Sequence, residues 1–194
     1  MKNFLKYYWL EEYLEREVRP FFEEKGYLTA EQFFAIIEWK NPRFGKTKLS
    51  YMEDKDIREL TKNIGESIRS KEQQLEILLR NGGKNRKGIR LATASAILTI
   101  LYPDSFTVYD IRVRKQLAKN KEWKLMRRED GEYAPEDITG SKDEIGRYIN
   151  EYIPKVSKVG QKLSSQKLSL RDCDRFLWAK DWYEDLQDFL YKRK

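Results

Sequence analysis

Residues 88–117 read GIRLATASAILTILYPDSFTVYDIRVRKQL, and the fold turns on how this stretch is read. Its centre, LATASAILTILY, is small and apolar on every side. Periodicity does not separate a buried helix from a buried strand there, because Thr and Ile suit either. The length of the run and its Ala-rich start favour a helix whose small side chains let a neighbour approach closely. Pro103 ends it. Phe106 and Val108 then alternate toward Asp110, which stands before a basic helix expected over 111–120, carrying Arg112, Arg114 and Lys115. Aspartate is a favoured N-cap. It also weakens the pull of a basic run on a polyanion, so either it only caps, or a reaction needs a negative charge there.

Working upstream, Phe4, Tyr7, Tyr8, Leu10, Tyr13, Leu14 and Val18 recur at helical spacing over 4–24, with acids between them. Gly26 stops that helix. Thr29 opens another, with Gln32 three residues on completing a capping-box pattern, and it runs to Asn41-Pro42. Helices are expected at about 53–70 and 71–80, followed by a loop, NGGKNRKG. Downstream, EDGEYAPEDITGSKD at 129–143 reads as an acidic surface loop, and helices at about 141–152, 154–164 and 170–192 complete an all-α chain.

Composition excludes several chemistries. With 194 residues and no histidine, there is no Ser–His–Asp triad and no histidine metal site. Cys173 is alone, so it forms no internal disulfide and holds no iron–sulfur cluster; it reads as a small buried hydrophobe. No metal or cofactor is expected. No 18-residue apolar run occurs, and the N-terminus carries acids where a signal peptide needs an apolar core. The expectation is a soluble, cytoplasmic monomer that does not enter a membrane.

The charge of +7 is unevenly spread. Residues 77–103 hold five basic side chains and no acid, while 111–128 hold eight basic ones against Glu122 alone. Acids gather at 129–154, eight against two bases. Two basic blocks flanking Asp110 are what binding to a phosphate backbone needs, although charged helix faces are also commonly just solvated. The glycines at 82, 83 and 88 mark a turn whose backbone N–H groups could seat a phosphate at the next helix; an ordinary αα-hairpin needs the same glycines.

Taken together, Gly88-Ile89-Arg90, Ala94 and Val108-Tyr109-Asp110-Ile111-Arg112-Val113-Arg114 resemble the core of the helix–hairpin–helix DNA glycosylase superfamily. More loosely, WKNPR at 39–43 and LRDCDRFLW at 170–178 look like stretches in its uncharacterised short members. The resemblance implies a two-lobed helical bundle with a helix–hairpin–helix motif, a cleft between the lobes, and duplex DNA as partner. One lobe would span about 30–118 and the other 1–29 plus 119–194. It further implies a flipped nucleotide and cleavage of the base–sugar bond, with Asp110 as the catalytic carboxylate facing the oxocarbenium-like sugar. DNA contacts are expected from Lys84, Arg86, Lys87, Gly88, Arg90, Arg112, Arg114 and Lys115, and from Lys40 and Arg43.

Two departures from the family pattern narrow this. Strand-nicking members carry a lysine early in the helix after the hairpin; aligned through Gly88, that position is Ala92, so hydrolysis without lyase activity is expected. Arg90 replaces the second hairpin glycine, and KNR lengthens the turn. Trp39 and Phe34 are the candidates to stack against an extruded base, whereas Trp9, Trp123, Trp178 and Trp182 read as packing residues. A nucleoid-associated repair enzyme is the leading expectation. The alternatives are a catalytically inactive helix–hairpin–helix DNA-binding module, in which Asp110 is only a cap, and an RNA-binding helical protein.

Overall fold

The run at 91–101 forms a helix that is buried on all sides beyond its first turn: every residue from Thr93 to Leu101 is removed from solvent. Its Ser95 and Thr99 hydroxyls return to backbone carbonyls one turn earlier, which is how polar side chains survive in such a setting. The structure is a computed structural model that describes residues 9–41, 52–66, 69–80, 89–127, 129, 132–138, 141–164 and 166–191. It is 73% helix and 4% strand, the expected all-α class. No described helix is long and apolar enough to cross a membrane.

The chain divides into two compact units, Met1–Tyr102 and Pro103–Lys194. In the first, α1 (Trp9–Tyr13) continues through a π-helical turn (Leu14–Val18) into α2 (Arg19–Lys25). Gly26 ends it in the left-handed conformation at φ 74°, where a side chain would be strained. Thr29 caps α3 (Ala30–Lys40), and the capping box with Gln32 is present. Helices α4 (Asp54–Gly65), α5 (Lys71–Arg80) and α6 (Leu91–Leu101) follow. The buried helix α6 packs against α2, α3 and α5. The N-terminal helix therefore belongs with α3 and α6. The boundary between the two units falls at 102/103.

The second unit holds α7 (Ile111–Lys119), strands β1 (Leu125–Arg127) and β2 (Tyr133–Pro135), and α8 (Lys142–Arg147). A second π-helical turn (Tyr148–Tyr152) then leads into α9 (Ile153–Ser164), and α10 (Leu170–Tyr191) ends the unit. The antiparallel hairpin, pairing Met126 with Ala134, lies partly where an acidic loop was expected. Its strands are three residues each and largely exposed, too short for an alternating pattern to register. Helix α10 packs on both α9 and α7. At its crossing with α9, a Cβ on Gly160 would lie 2.5 Å from the Cβ of Cys173, so only glycine admits this approach. Cys173 is fully buried, as expected of a small hydrophobe, and burial pushes its thiol pKa up. Trp123 is buried, but Trp178 and Trp182 are 43% and 47% exposed and are not core residues. The side chain of Trp9 lies outside the described residues.

Candidate active site

Asp110 sits at the N-cap of α7, reached by an extended stretch whose residues Phe106, Thr107, Val108 and Tyr109 are all buried. Its Oδ1 accepts the Arg112 N–H at 2.9 Å and its carbonyl accepts the Arg114 N–H at 3.0 Å. The cap expected from sequence is therefore made, and the residue as a whole is half-buried.

Four side chains from later in the sequence hold the approach to Asp110. Tyr148 donates its hydroxyl to the Thr107 carbonyl at 2.5 Å, and Tyr152 donates to the Val108 carbonyl at 2.9 Å. The Asp110 N–H in turn donates to the Tyr152 hydroxyl at 3.4 Å. From α10, Asp174 accepts the Val108 N–H at 3.3 Å and is itself paired with Arg171 at 2.5 Å. Asp174 and Arg171 are only 2% and 8% exposed. Burial raises the Asp174 carboxyl pKa even with Arg171 opposing it, and the negative charge of Asp110 adds to the rise. Burial also raises the Tyr152 phenol well above its ordinary value, so Tyr152 stays a hydrogen-bond donor throughout the physiological range.

The stretch LRDCDRFLW is thus accounted for: Arg171 and Asp174 clamp the segment that carries Asp110. Sequence reading did not find this clamp, nor Tyr148 and Tyr152. The available signal was an i,i+3 Arg–Asp pair within the quoted motif, but such pairs are common on solvated helix faces.

The basic helix faces a different partner from the one expected. Arg112 pairs with Asp181 at 3.2 Å and Asp185 at 2.7 Å and lies 5.6 Å from the Trp178 ring. Gln116 and Lys119 reach Asp181 and Glu184, so one face of α7 meets the acidic face of α10. Arg114 is 8% exposed; it donates to the Glu136 carbonyl at 2.8 Å, pairs with Asp137 and stacks over Tyr109. Arg114 is a buried cation inside the unit, and Arg112 is paired with two carboxylates. Lys115 is half-exposed and lies within the electrostatic reach of Asp185.

The other candidate residues lie in the first unit. Arg90 is exposed, and its carbonyl accepts the Thr93 and Ala94 N–H groups as α6 begins. Phe34 and Trp39, both half-buried on α3, and Lys40 at its end are on one helix; Phe34 packs edge-on to Phe33 at 5.9 Å. Arg43, Lys84, Arg86, Lys87 and Gly88 lie outside the described residues, as does the hairpin turn. Among the described residues, no group of three or more Asp, Glu or Cys side chains is arranged to hold a metal ion.

No protein-family model matches the chain, and neither the curated proteins nor the solved structures yielded a similar one. The site has to be interpreted from its own chemistry. It consists of the carboxylate of a half-buried aspartate at a helix N-terminus, where negative charge is favoured. Two phenols and a buried ion pair fix the backbone on its N-terminal side. Such a group is positioned to sit against developing positive charge, or to orient a water.

Proposed function

We propose that this chain is a monofunctional DNA glycosylase, hydrolysing the N-glycosidic bond of a damaged or mispaired base with Asp110 as its catalytic carboxylate. The observation that carries the reading is the support built around that one residue. A helix cap alone needs no clamp, yet Asp110 is approached through a buried strand-like segment held by Tyr148, Tyr152, Asp174 and Arg171. Rigid placement of a charge is what electrostatic stabilisation of an oxocarbenium-like sugar requires. As the base–sugar bond breaks, the carboxylate faces the positive sugar and directs water to it. The departing base takes the bonding electron pair, and a proton from solvent or the site completes it.

Ala92, half-buried near the start of α6, offers no amine for a Schiff base, which supports hydrolysis without strand nicking. The reading carries with it double-stranded DNA as partner, a role in base excision repair and a cytoplasmic, nucleoid-associated location.

A second reading, a DNA-binding module without chemistry, is favoured by the cap bond that Asp110 makes to the Arg112 N–H, which accounts for an aspartate there without catalysis; Arg112 and Arg114 pair with carboxylates within the chain. The expected positive flank of Asp110 is thereby reduced. Base release separates the two. Duplexes each carrying uracil, hypoxanthine, an alkylated purine or an oxidised purine are incubated with the protein, then cut with alkali at abasic sites. Release from any of them, abolished by Asp110→Asn, is the expected result. Because Asn caps as well as Asp, the variant should fold normally. Release that survives Asp110→Asn refutes the assignment, and silence on every duplex with DNA binding retained favours the module.

A further inference from the structure

Beyond the turn that follows α7 lies a surface pocket of about 360 Å³ within the second unit. Trp123 lines it, 6% exposed, its indole N–H donated to the Glu136 carbonyl at 2.9 Å. The pocket's cations are Lys121, Lys124, Arg147 and Lys155. Arg147 and Lys155 lie 6.0 and 5.3 Å from the Trp123 ring centre, which fixes them over it.

The pocket also contains three carboxylates, and each is already held. Glu122 pairs with Lys158 at 2.6 Å, Glu136 with Arg147 at 2.7 Å and Glu151 with Lys155 at 3.0 Å. Among the described residues, neither Lys121 nor Lys124 has a carboxylate within ion-pairing distance. The backbone supplies an independent sign. Lys121 holds a left-handed conformation at φ 63°, the one described non-glycine residue to do so. Helix ends that need this conformation take Gly or Asn by preference; a lysine there is uncommon and places an ammonium at the pocket's rim at a conformational cost.

We propose that this pocket seats a phosphate of a nucleic-acid backbone, with Lys121 and Lys124 as its ligands. A polyanion fits better than a small phosphorylated molecule because the cations do not stop at the pocket. Lys155, Lys158 and Lys162 follow one another along α9, the last two exposed; Lys155 and Lys158 also hold Glu151 and Glu122, whereas Lys162 has no ion pair among the described residues. At about 1.5 Å per residue they form a row roughly 10 Å long, and Lys162 contributes to the positive potential at Glu122. A lone anion has no use for such a row, whereas neighbouring phosphates do. The proposal rests on the reading that the chain binds nucleic acid, but not on any chemistry at Asp110.

The test compares the parent with Lys121→Gly/Lys124→Gln for binding to a labelled duplex by fluorescence anisotropy, over about 50 to 200 mM salt. Glycine relieves the left-handed backbone, so a variant that melts no lower than the parent shows that the fold is intact. Losing two phosphate contacts should lower the slope of log K against log salt by about 1.8 and weaken binding roughly ten- to sixtyfold near 0.1 M salt. A parent that binds while the variant keeps the same affinity and slope overturns the pocket and leaves the glycosylase reading standing. If the parent fails to bind duplex, pyrophosphate is titrated while the Trp123 indole N–H is followed by NMR. A shift that the variant lacks then assigns the pocket to a small phosphate-bearing anion and overturns the nucleic-acid source. No shift overturns the site altogether, and with it DNA binding has failed as well.

Discussion

Replacing Arg171 with Met strands the Asp174 carboxylate. Asp174 is 2% exposed and Arg171 8%, so neither water nor another cation can take over the 2.5 Å contact between them. Removing one partner of a buried pair typically costs 3–5 kcal/mol because the remaining charge is left uncompensated. Asp174 keeps the Val108 N–H, which places the expectation at the lower end, about 3 kcal/mol. The loss has a pH signature. Burial already raises the Asp174 carboxyl, with Arg171 acting against the rise, so the variant's carboxyl should rise further. For an acid raised in the folded state, the folded form holds more protons than the unfolded form. Stability then falls as pH climbs from the unfolded value, about 3.9, through the folded one. The destabilisation by Arg171→Met should therefore be larger at pH 8 than at pH 5. Urea unfolding at both pH values measures it, and adding Asp174→Asn should recover part of the loss. A variant within about 0.5 kcal/mol of the parent at pH 8, or a loss indifferent to pH, would refute the clamp.

Gly160→Ala forces a Cβ to within 2.5 Å of Cys173 Cβ and 2.9 Å of its Cα, and α9 and α10 must part; thermal unfolding should show a loss of about 1–3 kcal/mol. Tyr152→Phe removes the donor to the Val108 carbonyl and should cost about 1 kcal/mol by denaturant unfolding, with faster hydrogen exchange at the Asp110 N–H. Burial would raise the Glu184 carboxyl, but Lys119, Lys180 and Gln116 together hold it down to about 2. Its contribution is complete above the unfolded value, about 4.3, and is lost as pH falls toward 2. Discounted for its 35% exposure, it amounts to on the order of 1 kcal/mol, and acid titration of Glu184→Gln should lack that component.

What could be read from the sequence depended on whether a signal was local. The capping box of Thr29 and Gln32 needs residues three apart, and it is present. The helix at 91–101 followed from its length and its Ala-rich start. Asp110 as an N-cap was legible for the same reason. The basic run after it was legible as charge but not as geometry. Arg112 meets Asp181 and Asp185, respectively 69 and 73 residues later, and no spacing within 111–119 announces acids that far away. Trp178 and Trp182 illustrate the converse: four apart on a helix, they have the spacing of a buried stripe, yet each is more than 40% exposed. Tyr148 and Tyr152 could have been expected to be buried, but not that their hydroxyls would end on the carbonyls of 107 and 108.

Those two tyrosines stand on the π-helical turn at Tyr148–Tyr152, and this has a consequence for how the protein could change. A π turn holds a surplus residue in an otherwise regular helix. Were the turn to adopt regular α geometry with that residue retained, α8 would rotate by about 100° relative to α9. Arg147 would swing away from Glu136 and the Trp123 ring, and the phenols would lose their common direction toward residues 107–110. The alignment of one wall of the lysine pocket with the posts behind Asp110 therefore depends on the winding of a single turn. A change from π to α winding at that one turn would dissolve both features together, without altering a residue that either one uses.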